Sequence, residues 1–264
     1  MYAFDFVKPA SVAEAVAALA AEDAQALGGG QTLIPTLKQR LASPSVLVSL
    51  RGIAELKEFL PSDRAGRLRI GGGVTHATVA REARAVYPAL AEMASHIGDP
   101  AVRNLGTIGG SLANNDPSAC YPAAALASAA TIVTNTRQIE ADDFFQGMFA
   151  TALEPGEIIV EVAFPVPTRA NYQKFVQPAS RFALVGVFVA QHRDGVRVAV
   201  TGASESGVFG WSEAEAALGG EFTPNALKGL KADADGMIGD LHGTPEYRAH
   251  LIGVLTARAV AAAA

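Results

Sequence analysis

The chain is poor in several residue types that would point to a particular chemistry. Among 264 residues there is one cysteine, one tryptophan and an aromatic share of 7%. A single thiol excludes an internal disulfide. It also excludes an iron–sulfur cluster held by this chain alone, which needs several thiolates. Charge is sparse too, at 18% of residues and a formal net charge of -5, with no basic run of five or more residues. That balance gives no reason to expect a nucleic-acid partner. Long apolar runs are missing. Only Asp116 is charged between Asn104 and Thr136, but Gly109, Gly110, Pro117 and Pro122 break the stretch. It therefore cannot provide the ~20 consecutive apolar residues of a membrane-spanning helix. The N-terminal MYAFDFVKPASVAEAV lacks the basic start and apolar run of a secretory signal. These absences predict a cytoplasmic chain with no membrane span.

The common catalytic signatures are absent as well. No G-x-G-x-x-G or G-x-x-x-x-G-K-[ST] occurs. TGASESG (201–207) misplaces its glycines for the G-x-S-x-G nucleophile turn. His76, His96, His192, His242 and His250 show no metal-ligand spacing. Asp142-Asp143 and Glu154-Pro-Gly-Glu157 read as solvated turns, so no paired-carboxylate or triad case arises.

What is present is apolar material for a sizeable core, 50% of residues. YAFDF (2–6) alternates like a strand, and Ser11-Val-Ala-Glu14 makes a capping box ahead of an alanine-rich helix. AQALGGG, TLIPTLKQRL and SVLVSL then predict strand, helix and strand over 24–50. RLRIGGG (67–73) is a further strand ending in glycines. THATVAREA and YPALAEMASHI predict helices, followed by a glycine-rich loop, a buried helix at YPAAALASAA, and strands at 130–136 and 157–165. Two prolines and polar residues in PVPTRANY (165–172) predict a linker. Beyond it, FALVGVFVAQH and GVRVAVTGAS flank Asp194-Gly195, a strong hairpin signal. The chain thus reads as an α+β domain over 1–168 and a smaller antiparallel sheet with helices over 169–264. High apolar content also predicts exposed apolar patches for docking partners.

Small residues gather at two places. Gly28-Gly29-Gly30-Gln31-Thr32 precedes a predicted helix, and Thr107-Ile108-Gly109-Gly110-Ser111 opens the segment TIGGSLANNDPSAC. Glycine tolerates positive φ and lets backbone approach a ligand without a Cβ between them. Successive amides in such turns form an anion-binding concavity, to which adjacent hydroxyls add donors. Thr32 and Thr75, each placed just after a glycine triplet, suit helix N-caps. Two cradles for two phosphates would describe a dinucleotide. Tight strand-to-helix turns would need the same residues, and residue spacing alone leaves both readings open.

YAFDFVKPASVAEAV, LGGGQTLIP, VSLRGIAEL, GGGVTHATVA, IGDPAVRNLGTIGGSLANNDPSACYPA and EIIVEVAFP, in that order, resemble the FAD-binding medium subunit of molybdenum hydroxylases, the carbon monoxide dehydrogenase medium-chain family above all. The resemblance runs through nearly the whole chain. It implies an FAD-binding fold of the vanillyl-alcohol-oxidase/cresol-methylhydroxylase (PCMH) type, with subdomains of about 1–55 and 56–168 and a C-terminal domain over the flavin side. It further implies that Gly28, Gly29, Gly30, Gln31 and Thr32, with Thr107, Gly109, Gly110 and Ser111, cradle the pyrophosphate. Asn115 and Asp116 would reach ribityl or ribose hydroxyls, or cap the turn as Asx residues. Ile97 and Ile159 match positions near the flavin, or are core. Phe182 falls where relatives place an aromatic residue near the ring face. Lys174, following Tyr172 in a Y-x-K pattern, would bring positive charge, or lie on the surface. Cys120 stands where relatives carry the second aspartate of D-P-x-x-D, which puts that contact in doubt; a buried thiol and a covalent flavin link are the two alternatives.

The implied function is electron transfer. A large molybdopterin-binding subunit oxidises substrate, a small [2Fe-2S] subunit relays electrons, and FAD on this chain passes them to an external acceptor, within a dimer of heterotrimers. An independent flavin oxidase or reductase of the same fold, and a phosphate-ligand binding module, stay open on the sequence alone.

Overall fold

The computed structural model describes residues 1–263. The first fifty residues build one βαβαβ unit: β1 (Asp5–Val7), α1 (Val12–Leu19), β2 (Ala24–Leu27), α2 (Leu33–Lys38) and β3 (Val46–Ser49). The strands form a parallel sheet in the order β1-β3-β2. Parallel pairing needs crossovers, which the two helices provide. The Ser11 hydroxyl caps α1 as predicted, accepting from the Glu14 amide at 3.2 Å, but the Glu14 carboxylate accepts from the Ala10 amide at 2.8 Å, one residue before the cap, so the capping box is shifted by one position. Ala15, Val48, Ile53, Leu56 and Ile158 form a small core beneath this sheet.

The middle of the chain runs β4 (Phe59–Leu60), β5 (Arg67–Gly71), α3 (His76–Glu82), α4 (Pro88–Ser95), α5 (Pro100–Leu105), α6 (Ile108–Asn114), α7 (Cys120–Ala127), β6 (Thr131–Thr134), β7 (Gln138–Glu140), α8 (Ala141–Phe144), β8 (Phe145–Gly147), β9 (Ala150–Thr151) and β10 (Ile159–Pro165). Five of these strands make an antiparallel sheet, β4-β5-β10-β6-β7. The register sets Ile70, Val162 and Ile132 side by side on one face, all fully buried. Every residue of α7 is buried.

One prediction fails here. The segment after Thr107 is a helix, α6, although it begins Ile-Gly-Gly. Thr107 caps it by accepting from the Gly110 amide at 3.2 Å. Gly109 is required by packing, because a Cβ there would lie 2.6 Å from Gly72 O. Close approach outweighs the weak helix propensity of glycine.

The last third is an antiparallel meander of β11 (Arg169–Val176), β12 (Ala183–Gln191), β13 (Val196–Ser204) and β14 (Gly207–Gly210), with α9 (Ser212–Gly220) and α10 (Pro245–Ala262). The segment predicted as a linker is only the three-residue connection between β10 and β11. β12 is apolar on both faces because both are covered. Phe188 and Ala190 join the core containing α7, while Val185, Val187 and Val189 face the core shared with α10. The hairpin at Asp194-Gly195 closes with His192 N donating to Gly195 O at 2.8 Å.

Two acidic groups read as solvated are instead tied down. Asp142 pairs with Arg197 of β13. Glu157 accepts from Arg137, from the hydroxyls of Thr134 and Thr136, and from the Glu154 amide. These bonds, the Arg137 one foremost, hold its carboxyl at about 2. Sequence spacing did not reveal either because the partners lie far along the chain.

Candidate functional site

The two glycine loops meet. A Cβ on Gly29 would overlap Leu105 O and lie 2.6 Å from Gly106 Cα, and one on Gly28 would lie 3.0 Å from Thr107 Oγ1. The loop after β2 therefore rests directly on the loop before α6, backbone against backbone. Gly30 turns the chain at φ +70°, a conformation that disfavours any side chain.

The loops differ in what their amides do. Among the described residues, none of the amides of Gly28, Gly29, Gly30, Gln31 and Thr32 donates to a protein acceptor, and neither does that of Thr107. In the second loop the amides of Ile108, Gly109, Gly110 and Ser111 are already bonded, to Val74 O, Gly72 O, Thr107 Oγ1 and Thr107 O. The first loop is thus a run of five open donors, and the second supplies backbone clearance and hydroxyls. Thr32 does not cap α2: its backbone is helical and its side chain makes no cap bond. Thr75 does cap α3, accepting from the Thr78 amide at 3.3 Å. The hydroxyls of Thr32 and Ser111 have no protein partner among the described residues.

The triplet Gly71–Gly73 is scaffold rather than a third cradle. Gly72 packs on the Ile159 carbonyl and Gly73 on Leu56, while Gly72 O receives the Gly109 amide at 2.9 Å. Ile159 is buried at the start of β10. His76 closes the rear of the second loop, since a Cβ on Gly106 would lie 2.5 Å from its Nε2. Burial, and then the Arg103 charge, lower its pKa to about 4, so the ring is neutral at pH 7.

Asn115 is buried and left-handed, φ +40°. Its amide donates to Gly147 O and Ala150 O, both at 2.8 Å, and so clamps the β8–β9 hairpin. Asp116 makes an Asx turn, accepting from the Ser118 amide at 2.8 Å. That turn is held from behind by β13: Thr201 Oγ1 donates to Pro117 O and Ala119 O, and the Gly202 amide donates to Pro117 O. Arg248 in turn anchors Gly202 O at 2.8 Å. Nothing in the local sequence TGASESG signals this support, which depends on a contact spanning some eighty residues.

A second cluster lies where α4, α7 and β11 meet. Lys174 Nζ donates to His96 O at 3.2 Å and to Cys120 Sγ at 3.5 Å. Cys120 is buried and Lys174 half-buried. The Tyr172 hydroxyl is buried and, among the described residues, makes no hydrogen bond of normal geometry; burial, and then the neighbouring Cys120 thiol, raise its pKa. Lys174 borders a cleft of about 740 Å³ also lined by His96, Arg103 and Arg181. Arg103 donates to Ile97 O and Gly98 O, both at 3.0 Å. Phe182 is exposed, just before β12. Cys120, Lys174 and the Ile97 backbone therefore come together, and the two glycine loops come together. Tyr172, His76 and Arg103 are members of this region that residue patterns did not single out.

A group with two linked phosphates fits these features. Five consecutive amides without a protein acceptor are available to it, the glycines leave room that a Cβ would fill, and two hydroxyls without a protein partner among the described residues lie in the same loops.

Comparisons with known proteins agree with that fit. Residues 2–167 match the family described as FAD binding domain in molybdopterin dehydrogenase. The chain is 34% identical to the nicotine 6-hydroxylase medium subunit of Paenarthrobacter nicotinovorans, covering 98% of this chain and 96% of that one. It is 32% identical to the carbon monoxide dehydrogenase medium chain of Afipia carboxidovorans, covering 97% and 95%. Its structure superposes on a chain of carbon monoxide dehydrogenase from Hydrogenophaga pseudoflava with a TM-score of 0.89 and 32% identity, covering 99% and 97%. The match over residues 2–167, with medium subunits aligned along nearly the whole length, places the chain in the family of FAD-binding domains of molybdopterin dehydrogenases.

Proposed function

We propose that this chain is the FAD-binding, electron-transferring subunit of a multi-subunit molybdenum-containing hydroxylase or dehydrogenase. The observation that carries the reading is the run of open amides from Gly28 to Thr32 packed against the Thr107 loop. FAD, when bound, supplies a centre that takes up electrons singly and releases them singly or in pairs. The chain's own task is to hold and orient it.

In this reading the amides of Gly28, Gly29, Gly30, Gln31 and Thr32, with the Thr32 and Ser111 hydroxyls and the Thr107 amide, hold the pyrophosphate. Gly109 and Gly110 keep the second loop close. Asn115 and Asp116 shape the turn beside it and offer their remaining oxygens to sugar hydroxyls. Ile97, Ile159, Cys120 and Phe182 belong to the ring end, where Lys174 contributes positive charge. The separate parallel and antiparallel sheets support a PCMH-type arrangement with subdomains of about 1–55 and 56–168, and residues 169–264 form the covering domain. The relatives are medium subunits or chains, that is, components of larger assemblies. One cysteine leaves the iron–sulfur clusters to a partner. The assembly we infer is cytoplasmic, a dimer of heterotrimers with a large molybdopterin-binding subunit and a small [2Fe-2S] subunit. Exposed Phe175, Val176 and Tyr247 offer apolar surface for docking. Among the described residues no helix is long and apolar enough to cross a membrane.

Native purification tests the proposal. The expected result is one FAD per chain and two co-purifying subunits, one carrying molybdenum and one carrying iron. A chain that neither retains nor takes up FAD, or that oxidises an organic substrate alone, would overturn it.

A further inference from the structure

Cys120 has no second thiol in the chain, so its oxidation cannot end in an internal disulfide. What stands beside it is an amine. Lys174 Nζ lies 3.5 Å from Cys120 Sγ, held there by its bond to His96 O at 3.2 Å. No ion pair engages Lys174 among the described residues. Closing the gap needs only rotations along the flexible lysine stem.

An independent observation concerns Tyr172, two residues before Lys174 on β11. Its side chain is 5% exposed, and among the described residues its hydroxyl makes no hydrogen bond of normal geometry, with the Cys120 thiol as the polar group beside it. It borders the Cys120 thiol. The absence of a side chain at Gly186 makes room for it, since a Cβ there would overlap the hydroxyl. A buried hydroxyl without a partner is uncommon. An oxygen atom bound to Sγ would offer it an acceptor on the side of the thiol.

We propose that Cys120 and Lys174 form a reversible N–O–S cross-link, with dioxygen as the oxidant, joining β11 to α7. One S–H bond and two N–H bonds of the ammonium break, and the O=O bond is cleaved. One oxygen becomes the bridge through new S–O and N–O bonds; the other leaves as water, with one proton released. Sulfur and nitrogen each lose two electrons, which together reduce dioxygen fully. Two equivalents of a dithiol reverse the change, returning thiol, amine and water. Dioxygen reaches the pair through the cleft that Lys174 borders. The cross-link removes the Lys174 charge from a cleft that Arg103, Arg181 and Glu92 also line. None of this depends on FAD being bound.

The test is mass spectrometry of the purified full chain, split between air-saturated buffer and anaerobic buffer with dithiothreitol. The expected aerobic product gains one oxygen and loses two hydrogens. It yields a linked peptide pair containing Cys120 and Lys174, resists trypsin after Lys174, and reverts on reduction. Cys120→Ser and Lys174→Met each abolish the mass change. Oxygen added to Cys120 with Lys174 free overturns the proposal, as does an unchanged mass after prolonged aeration. Should a variant fail to fold, the wild-type peptide map still decides between these outcomes.

Discussion

Replacing Gly28 and Gly29 by alanine, one at a time, separates the two glycine roles at the site. An added methyl at 29 would collide with Leu105 O and Gly106 Cα, both backbone atoms with no freedom to rotate away. The loops must then part. Overpacking of this kind costs about 1–3 kcal/mol, and here it falls on the surface that presents the open amides. We expect about 2 kcal/mol of lost FAD affinity, roughly thirtyfold in Kd. An added methyl at 28 meets Thr107 Oγ1 at 3.0 Å, with Gly110 Cα at an ordinary 4.0 Å. That hydroxyl caps α6, but a small shift of the side chain relieves the contact, and even losing the cap bond would cost only about 1 kcal/mol. Flavin fluorescence quenching gives both constants, and thermal melting reports whether the fold survives. The reasoning is refuted if Gly29→Ala binds FAD like the parent chain, or if Gly28→Ala is the more damaging change.

Other outcomes follow from the same structure. Glu157→Gln should lower stability at pH 7, measured by urea unfolding. A carboxyl held at about 2 rather than 4.5 is worth about 3 kcal/mol, and solvent screening of the half-exposed Arg137 reduces this to about 2. That contribution is complete above pH 4.5 and disappears as pH falls towards 2, so the variant and parent should converge in acid. His76 works in the same direction through a different group. Its folded pKa of about 4 lies below the ordinary 6.5, so the unfolded chain binds the extra proton and stability drops as pH falls between these values, by about 3 kcal/mol in all. His76→Asn should flatten that part of the pH–stability curve. Gly219→Ala, inside α9 with nothing near the added methyl, should raise stability by about 0.5–1 kcal/mol and leave FAD binding unchanged.

Much of the fold is legible in local chemistry. The Ser11 cap, the alternation of the first fifty residues and the Asp194-Gly195 hairpin each depend on neighbours within a few positions. Misread features depend on distant partners. Gly109 and Gly110 look like a loop until Gly72 is seen against α6. Glu157 looks solvated until Arg137, Thr134 and Thr136 surround it. At the candidate site, the sequence marked both glycine loops but could not show that they meet, or that one has open amides while those of the other are bonded within the protein. Nor could it show Lys174 reaching Cys120 across 54 positions, or the buried Tyr172 hydroxyl left, among the described residues, without a hydrogen bond of normal geometry.

The central claim is that the amides of Gly28 to Thr32 are the donors that hold FAD. Hydrogen–deuterium exchange of the purified chain, with and without FAD, measures this at the amides themselves. The account predicts slowed exchange at 28–32 on adding FAD, with smaller protection around Thr107. Exchange there that is indifferent to FAD, or protection confined to other segments, would contradict it.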